Sequence, residues 1–283
     1  MFKVQCSKFC LLFIYLLKKS RDLGSLACRL TQWTGKSRYP IHPKHLVQIE
    51  PPWYLEGIQA GDRVLALGCG NGQHVFKAAQ KAKEVVGLDK DEKQLAIAQS
   101  LAEEKEVGKV KFLRADLEKG IKFKDNSFDK ILALDVLEHL ENRNQFLKEI
   151  KRLLKPKGLI FLAVPNRNTS WKKRQKRAGL NSYTDPDHKI EYSLGEIKKL
   201  LKDQGFKILS LEPIVYDTPW AGLIDLLGGF SLKLYRRLIL WKKDKVENNI
   251  KESIGFRIKM CQLNTFSKHF FPDRQEKTDP GSE

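Results

Sequence analysis

Residues 63–72 read RVLALGCGNG, a short apolar, β-branched run that breaks into Gly68-x-Gly70-x-Gly72 and is followed at once by a helical pattern from Gln73. Glycines at this spacing let the backbone turn sharply, let a ligand approach it closely, and aim the next helix's N–H groups into the crevice beyond the strand. Working outward, the second apolar run, Glu84–Asp89 (EVVGLD), ends on a carboxylate 17 residues after Gly72. A carboxylate there can accept both hydroxyls of a ribose. The third run, Lys109–Asp116, also ends on an acid, placed for a further polar contact with a nucleoside. Runs at Phe128–Val136 and Leu159–Pro165 complete five strands, with helices expected near Gln73–Lys83, Glu92–Glu106 and Asn142–Leu154, the last closed by Lys155-Pro156-Lys157-Gly158. Strands alternating with helix-length amphipathic segments predict a parallel sheet with crossover helices. Later, Ser193–Gln204 forms a Ser-x-x-Glu capping box with Leu194, Ile197, Leu200 and Leu201 on one face, stopped by Gly205. Strands are expected at Phe206–Leu211 and Gly255–Leu263.

These segments together resemble the class I S-adenosylmethionine-dependent methyltransferases (type 11), in the broad subgroup of small-molecule and quinone-biosynthesis O-methyltransferases. The resemblance covers about Gly61 to Leu211 and rests on VLALGCGNG, VVGLDKD, FLRADLE, SFDKILALDVLEHL, LLKPKGLIFLAVPN and EYSLGEIKKLLKDQGFKI. It implies an α/β, Rossmann-like sheet of seven strands in the order 3-2-1-4-5-7-6, with helical N-terminal and C-terminal additions. It also implies S-adenosylmethionine as cofactor, its methionine part cradled by Gly68, Gly70 and Gly72, its ribose held by Asp89, and its adenine met by Asp116 and Leu117. One position departs from the family: an acidic residue usually stands two places before the first glycine, where this chain has Ala66. Losing one such hydrogen-bonded contact costs about 1 to 3 kcal/mol if nothing compensates, so a catalytically silent cofactor-binding protein is an alternative reading.

Methyl transfer is an in-line displacement, for which the protein aligns the acceptor and excludes water. An oxygen acceptor must also lose a proton. His139, just past the fourth strand beside Glu138, is the candidate base, with His188 in Asp185-Pro186-Asp187-His188 as a second. Asp135, Glu138 and His139 fall at i, i+3 and i+4, so a helix starting there would place them on one face. Some quinone-biosynthesis O-methyltransferases look similar here, with a Glu-x-x-Glu-His segment that holds a divalent metal. Three readings stand: a metal on Asp135, Glu138 and His139, a metal-free base at His139, or Glu138 and His139 as loop struts.

The chain has 283 residues and a net charge of +18, only +4 of which lies in residues 61–166, so the excess sits in the flanks. Five scattered cysteines, with no C-x-x-C pair, indicate neither a disulfide framework nor a zinc site, and a reducing cytoplasm is expected. Phe9–Leu17 (FCLLFIYLL) is too short to span a bilayer and is followed by Lys-Lys-Ser-Arg-Asp instead of a small-residue cleavage site, so it is read as an interfacial or packing helix. Trp220–Lys243 carries apolar residues at helical spacing interrupted by charges, and Gly228-Gly229 is expected to divide it. It is either a lid or, with the first helix, a contact with the anionic inner face of the membrane through Arg236, Arg237, Lys242 and Lys243. Trp171–Arg177 holds five cations in seven residues. A solvated face or a lip for anionic groups is preferred over nucleic acid there, with an RNA methyltransferase as the alternative. Pro51-Pro52-Trp53-Tyr54 is read as packing near the cofactor site. The expected organisation is a basic extension over 1–50, a cofactor-binding core over 51–213, a lid or membrane-facing segment plus last strand over 214–271, and a disordered tail over 272–283. The expected activity is methyl transfer, chiefly to oxygen, on a small and lipophilic or lipid-linked acceptor.

Overall fold

A computed structural model describes residues 8–47 and 51–263; the expected tail at 272–283 lies outside the described residues. Helices α1 (Lys8–Lys19), α2 (Gly24–Trp33) and α3 (Pro43–Leu46) come first. The alternating unit follows: β1 (Arg63–Leu67), α4 (Gln73–Ala79), β2 (Glu84–Asp89), α5 (Glu92–Glu104), β3 (Val110–Arg114), β4 (Phe128–Leu134), α6 (Arg143–Leu153) and β5 (Leu154–Pro165). Then come α7 (Ser170–Arg177), α8 (Leu194–Asp203), β6 (Phe206–Pro213), α9 (Ala221–Phe230), α10 (Leu232–Glu247) and β7 (Gly255–Gln262).

The seven strands form one sheet in the order β3-β2-β1-β4-β5-β7-β6, as the family resemblance implies. β1 pairs in parallel with β2 and β4, while β7 runs antiparallel between β5 and β6. The strand order therefore reverses beside β1, which opens a crevice at the strands' carboxyl ends. One apolar cluster, including Leu65, Leu88, Phe128, Ile131, Phe146, Ile197 and Ile258, contains residues of α6, α8 and the sheet. A smaller cluster, with Tyr54, Val64, Ala66, Val75, Leu132 and Phe161, includes residues of α4. The capping box at Ser193 and Glu196 forms in both directions, and Gly205 stops α8 at φ +75°.

Two of the differences from the sequence expectation have a visible physical cause. Lys155–Gly158 lies within β5: Phe128 pairs with Leu154, and pairing resumes at Lys130 and Leu159, so these four residues bulge out of the ladder. Lys157 takes φ +65°, and the Lys155 ammonium pairs with Asp129, which pins the bulge. Gly228-Gly229 does not divide the late helical segment. The break is at Ser231, whose hydroxyl accepts a hydrogen bond from the Leu234 N–H. The two glycines are instead contact points, because a Cβ at Gly228 would stand 2.8 Å from Pro43 Cβ and one at Gly229 would stand 2.6 Å from Leu30 Cβ. Only bare backbone lets α9 lie this close to α2 and α3.

Candidate active site

The glycine turn leaves β1 with Gly68, Gly70 and Gly72 at φ +62°, +50° and +80°, a region that glycine enters freely. A Cβ on Gly68 would meet Val136 Cγ2 at 2.6 Å, so the turn abuts the segment that follows β4. At Gly70 a Cβ would meet nothing within 4 Å, so that edge of the turn faces open space. Directly after the turn, the Gln73 Nε2 is buried with no partner among the described residues. An open glycine edge beside an unsatisfied amide donor fits a cofactor with a carboxylate end. Gln73 has no distinguishing signal in the sequence beyond its place after the motif.

Asp89 ends β2, and its carboxylate accepts hydrogen bonds from the Gly70 N–H at 2.7 Å and the Asp91 N–H at 2.9 Å. It ties the second strand to the glycine turn and keeps acceptor capacity toward the crevice. Asp116 is exposed and accepts from the Glu118 N–H, while the Leu117 side chain is buried in the main core. Ala66 is 3% exposed in the smaller apolar cluster, so a carboxylate at that position would be buried there. In the same cluster the Tyr54 hydroxyl lies 2.9 Å from His74 Nδ1, and Trp53 and Tyr54 pack edge-on against Phe161. The Pro-Pro-Trp-Tyr segment thus packs against α4, immediately behind the glycine turn.

Beyond β4 the chain makes a 3₁₀ turn over Leu137–His139, not the start of an α-helix. Asp135 is exposed at φ +58° and lies outside the cluster that forms. The residues brought together are Glu138, His139 and His188, whose ligand atoms all lie within 4.8 Å of one another. The Glu138 carbonyl accepts from the N–H groups of Lys189 and Ile190, which docks the loop before α8 onto the turn. The imidazoles of His139 and His188 meet edge-on with centroids 4.7 Å apart. Each ring is anchored at one nitrogen: His139 bonds to the Asp187 backbone, and His188 Nδ1 stands 3.0 Å from Glu191 Oε1.

Burial, reinforced by the Asp135 charge, pushes the Glu138 carboxyl well above the usual carboxylate range, and its Oε2 is buried with no partner among the described residues. Burial and the neighbouring His188 lower the His139 pKa, which keeps that ring neutral near pH 7. Glu191 is fully buried, and burial alone would raise its pKa. The His188 hydrogen bond and the Lys172 ammonium outweigh burial and hold it at about 2. The Lys172–Glu191 pair is fully buried on both sides, and Thr184 N–H donates to the same carboxylate.

Lys172 therefore corrects the view of residues 171–177 as one solvated face: Trp171, Lys172 and Gln175 are buried, while Lys173, Arg174, Lys176 and Arg177 are exposed. Trp171 within the basic run is the signal that one side of this helix packs. Lys242 is also buried and is not on the cationic surface expected for the late helix.

A methyltransferase domain family model matches residues 58–205, about half of the chain. A protein of Mycolicibacterium smegmatis named "Probable S-adenosylmethionine-dependent methyltransferase" is 31% identical over 153 residues, 53% of each chain. A ubiquinone biosynthesis O-methyltransferase of Dechloromonas aromatica is 34% identical over 148 residues, 51% of this chain and 61% of that protein. The chain thus spans little more than half the length of these relatives. Among solved structures, an S-adenosylmethionine-dependent methyltransferase of Methanosarcina mazei superimposes with a TM-score of 0.54 at 20% identity, covering 77% of this chain and 99% of that one. The [4+2]-cyclase SpnF gives 0.53 at 22% identity, covering 73% and 77%, so the fold by itself does not fix the reaction. With the family match joined to the seven-strand order and the glycine turn, the chain belongs to the class I S-adenosylmethionine-dependent methyltransferases.

Proposed function

We propose that the protein transfers a methyl group to an oxygen of a small, lipophilic or lipid-linked acceptor. The observation that carries this reading is the pair of anchored imidazoles beside Glu138, next to the glycine turn at the strands' carboxyl ends. The oxygen preference and the acceptor class follow the ubiquinone O-methyltransferase relatives. Gly68, Gly70, Gly72 and Gln73 would hold the methionine end of S-adenosylmethionine, Asp89 its ribose, and Asp116 with Leu117 its adenine. Bound there, the cofactor would supply an electrophilic methyl group on a sulfonium sulfur, which would keep the C–S electron pair when the methyl group passes to the acceptor oxygen.

The chain's own task is to place the acceptor and take its proton. Ionised Glu191 holds the proton of His188 on Nδ1, which leaves Nε2, 4.0 Å from Glu138 Oε1, as the base and stabilises the imidazolium that forms. His139, neutral and fixed by the Asp187 backbone, offers its free nitrogen to the same hydroxyl. Glu138, His139 and His188 also suit a divalent cation, since two imidazoles, each anchored at its second nitrogen, and one carboxylate make an acceptable donor set. Such an ion would be held by these three residues, with His188 in the place expected for Asp135, and would acidify the acceptor hydroxyl.

Incubation with methyl-labelled S-adenosylmethionine and a panel of phenols, catechols and hydroxylated quinols tests the reading. Label in an extractable methyl ether is the expected result. Cofactor binding without transfer to any acceptor would instead favour the silent binding protein.

A further inference from the structure

Helix α1 buries only Ile14 and Leu17, which meet Trp171 of α7. Its remaining apolar stripe points outward: Phe9, Leu12, Phe13 and Leu16, at i, i+3, i+4 and i+7, are 47% to 79% exposed. A second stripe runs along α9, where Trp220, Leu223, Leu227 and Phe230 share one face and are all exposed. The two stripes join through an edge-on contact between Phe13 and Trp220, 6.4 Å between ring centroids. Separately each would be an ordinary amphipathic helix. Joined, they make one extended apolar surface with aromatic residues at its junction and ends, of a size that water-facing surfaces seldom leave uncovered.

The helices α1 and α7 beside this surface carry cations and no carboxylate. α1 carries Lys8, Lys18 and Lys19 and no acid, and α7, packed beside it, exposes Lys173, Arg174, Lys176 and Arg177 and has no acid. The one carboxylate of α9, Asp225, is turned toward Tyr235 and His42. Lysine-rich rims are depleted at protein interfaces but typical of helices that lie in the headgroup layer. No helix among the described residues is long and apolar enough to cross a bilayer.

We propose that α1 and α9 form a single interfacial face that seats the protein on an anionic lipid bilayer, with the exposed cations of α7 on lipid phosphates. The face borders the acceptor side of the candidate site. Lys172, on the opposite side of α7, holds Glu191, and the Lys18 ammonium of α1 donates to the Tyr183 carbonyl in the loop that carries His188. An acceptor dissolved in the bilayer would meet that loop first; this last step rests on the proposed methyl transfer to a lipophilic acceptor, whereas the docking does not.

Flotation of the full chain with phosphatidylcholine vesicles, with and without phosphatidylglycerol, is the test. The wild-type protein should float with anionic vesicles and be released by high salt. The exposed-site variant Leu12→Glu/Leu16→Glu/Leu227→Glu should lose partitioning by at least ~10-fold, and Arg174→Glu/Arg177→Glu by a similar factor on anionic vesicles only, at roughly fivefold or more per cation. Calorimetry with S-adenosylmethionine on the same variants should show unchanged affinity. Wild-type protein that ignores anionic vesicles, or floats equally well in the triple-glutamate variant, overturns the proposal. So does light scattering that shows a dimer converted to monomer by those substitutions, or binding of single-stranded RNA, lost in Arg174→Glu/Arg177→Glu, by a protein that ignores vesicles. Flotation in a protein that fails to bind S-adenosylmethionine would leave the docking face standing and remove only the reaction.

Discussion

His188 Nδ1 lies 3.0 Å from Glu191 Oε1, and Glu191 is itself held by the fully buried Lys172. A carboxylate kept ionised by a buried ammonium fixes which nitrogen of the neutral imidazole carries the proton, so the other nitrogen, 4.0 Å from Glu138 Oε1, is the one that can act as a base. General-base catalysis contributes roughly 10²- to 10⁴-fold. His188→Ala should therefore lower methyl transfer by about that factor, with S-adenosylmethionine affinity unchanged. His139→Ala should cost less, since that ring orients the acceptor without the carboxylate behind it. Single-turnover assays at saturating cofactor separate the two, and equal, small losses in both variants would reduce the histidines to loop struts.

The same carboxylate is also a stability element. Removing one partner of a buried ion pair costs about 3 to 5 kcal/mol, because the other charge stays buried without compensation. Glu191→Gln should lose stability in that range in chemical denaturation. Lys172→Met/Glu191→Leu should recover much of the loss while remaining poor in turnover. If Glu191→Gln unfolds at the wild-type midpoint, the pair is open to water in solution.

At the glycine turn, structure and ligand requirements separate cleanly. Gly68→Ala collides with Val136 as well as adopting an unfavourable φ, so it should damage folding. Gly70→Ala meets no neighbour and should cost only about 1 to 2 kcal/mol for its left-handed backbone. Its loss of S-adenosylmethionine affinity should be far larger than its loss of stability if the cofactor fills the open edge. Asp89→Ala should weaken binding at least about tenfold, near 1.4 kcal/mol, since it frees the Gly70 N–H as well as any ribose contact. Calorimetry at a temperature where each variant is folded reads both.

The strands and the glycine turn were legible because they rest on local signals: β-branched runs, glycines at the turn, and a capping box that satisfies helix N–H groups. The strand order, which depends on long-range pairing, came only from the family resemblance. The polar network was not legible. Lys172 sits in a run of cations that reads as solvated, and its burial depends on Glu191, 19 residues later, entering the same cavity. His188 reads as a turn residue, and only the docking of Lys189 and Ile190 N–H groups on the Glu138 carbonyl brings it to His139. Gly228 and Gly229 misled for the converse reason: glycine marks a helix break from sequence alone, whereas here Pro43 and Leu30 across the helix contact require it.

His74, just behind the glycine turn, gives the protein a defined acid sensitivity. Burial, aided by the charges of Lys44, Lys77 and Arg257, lowers its pKa to about 3. The unfolded chain protonates this ring near 6.5, so protons favour unfolding throughout the interval between those values. Stability from the neutral ring is complete above about pH 6.5 and declines as pH falls toward 3, on the order of 2 kcal/mol by pH 5. His74→Gln should flatten the fall of thermal midpoint between pH 7 and pH 5, although His45, also lowered by burial, will retain part of the slope. An unchanged slope would mean that the Tyr54–His74 contact opens to water before unfolding.

The last prediction concerns metal dependence at Glu138, His139 and His188. A divalent ion needs the carboxylate ionised, yet burial and the Asp135 charge favour its protonated form. The ion must supply that ionisation from its own binding energy. A base already set up by Glu191 has no such cost, so methyl transfer should survive exhaustive chelation and gain nothing from added Mg, Mn or Zn. If chelation abolishes turnover and add-back restores it, the ion takes over the acidification of the acceptor hydroxyl. In that case His188→Ala should abolish metal retention, measured by elemental analysis, while Asp135→Ala should leave it intact, because Asp135 stands outside the cluster. Retention lost with Asp135 and kept without His188 would show that the turn after β4 rearranges to the helical geometry expected from the i, i+3, i+4 spacing.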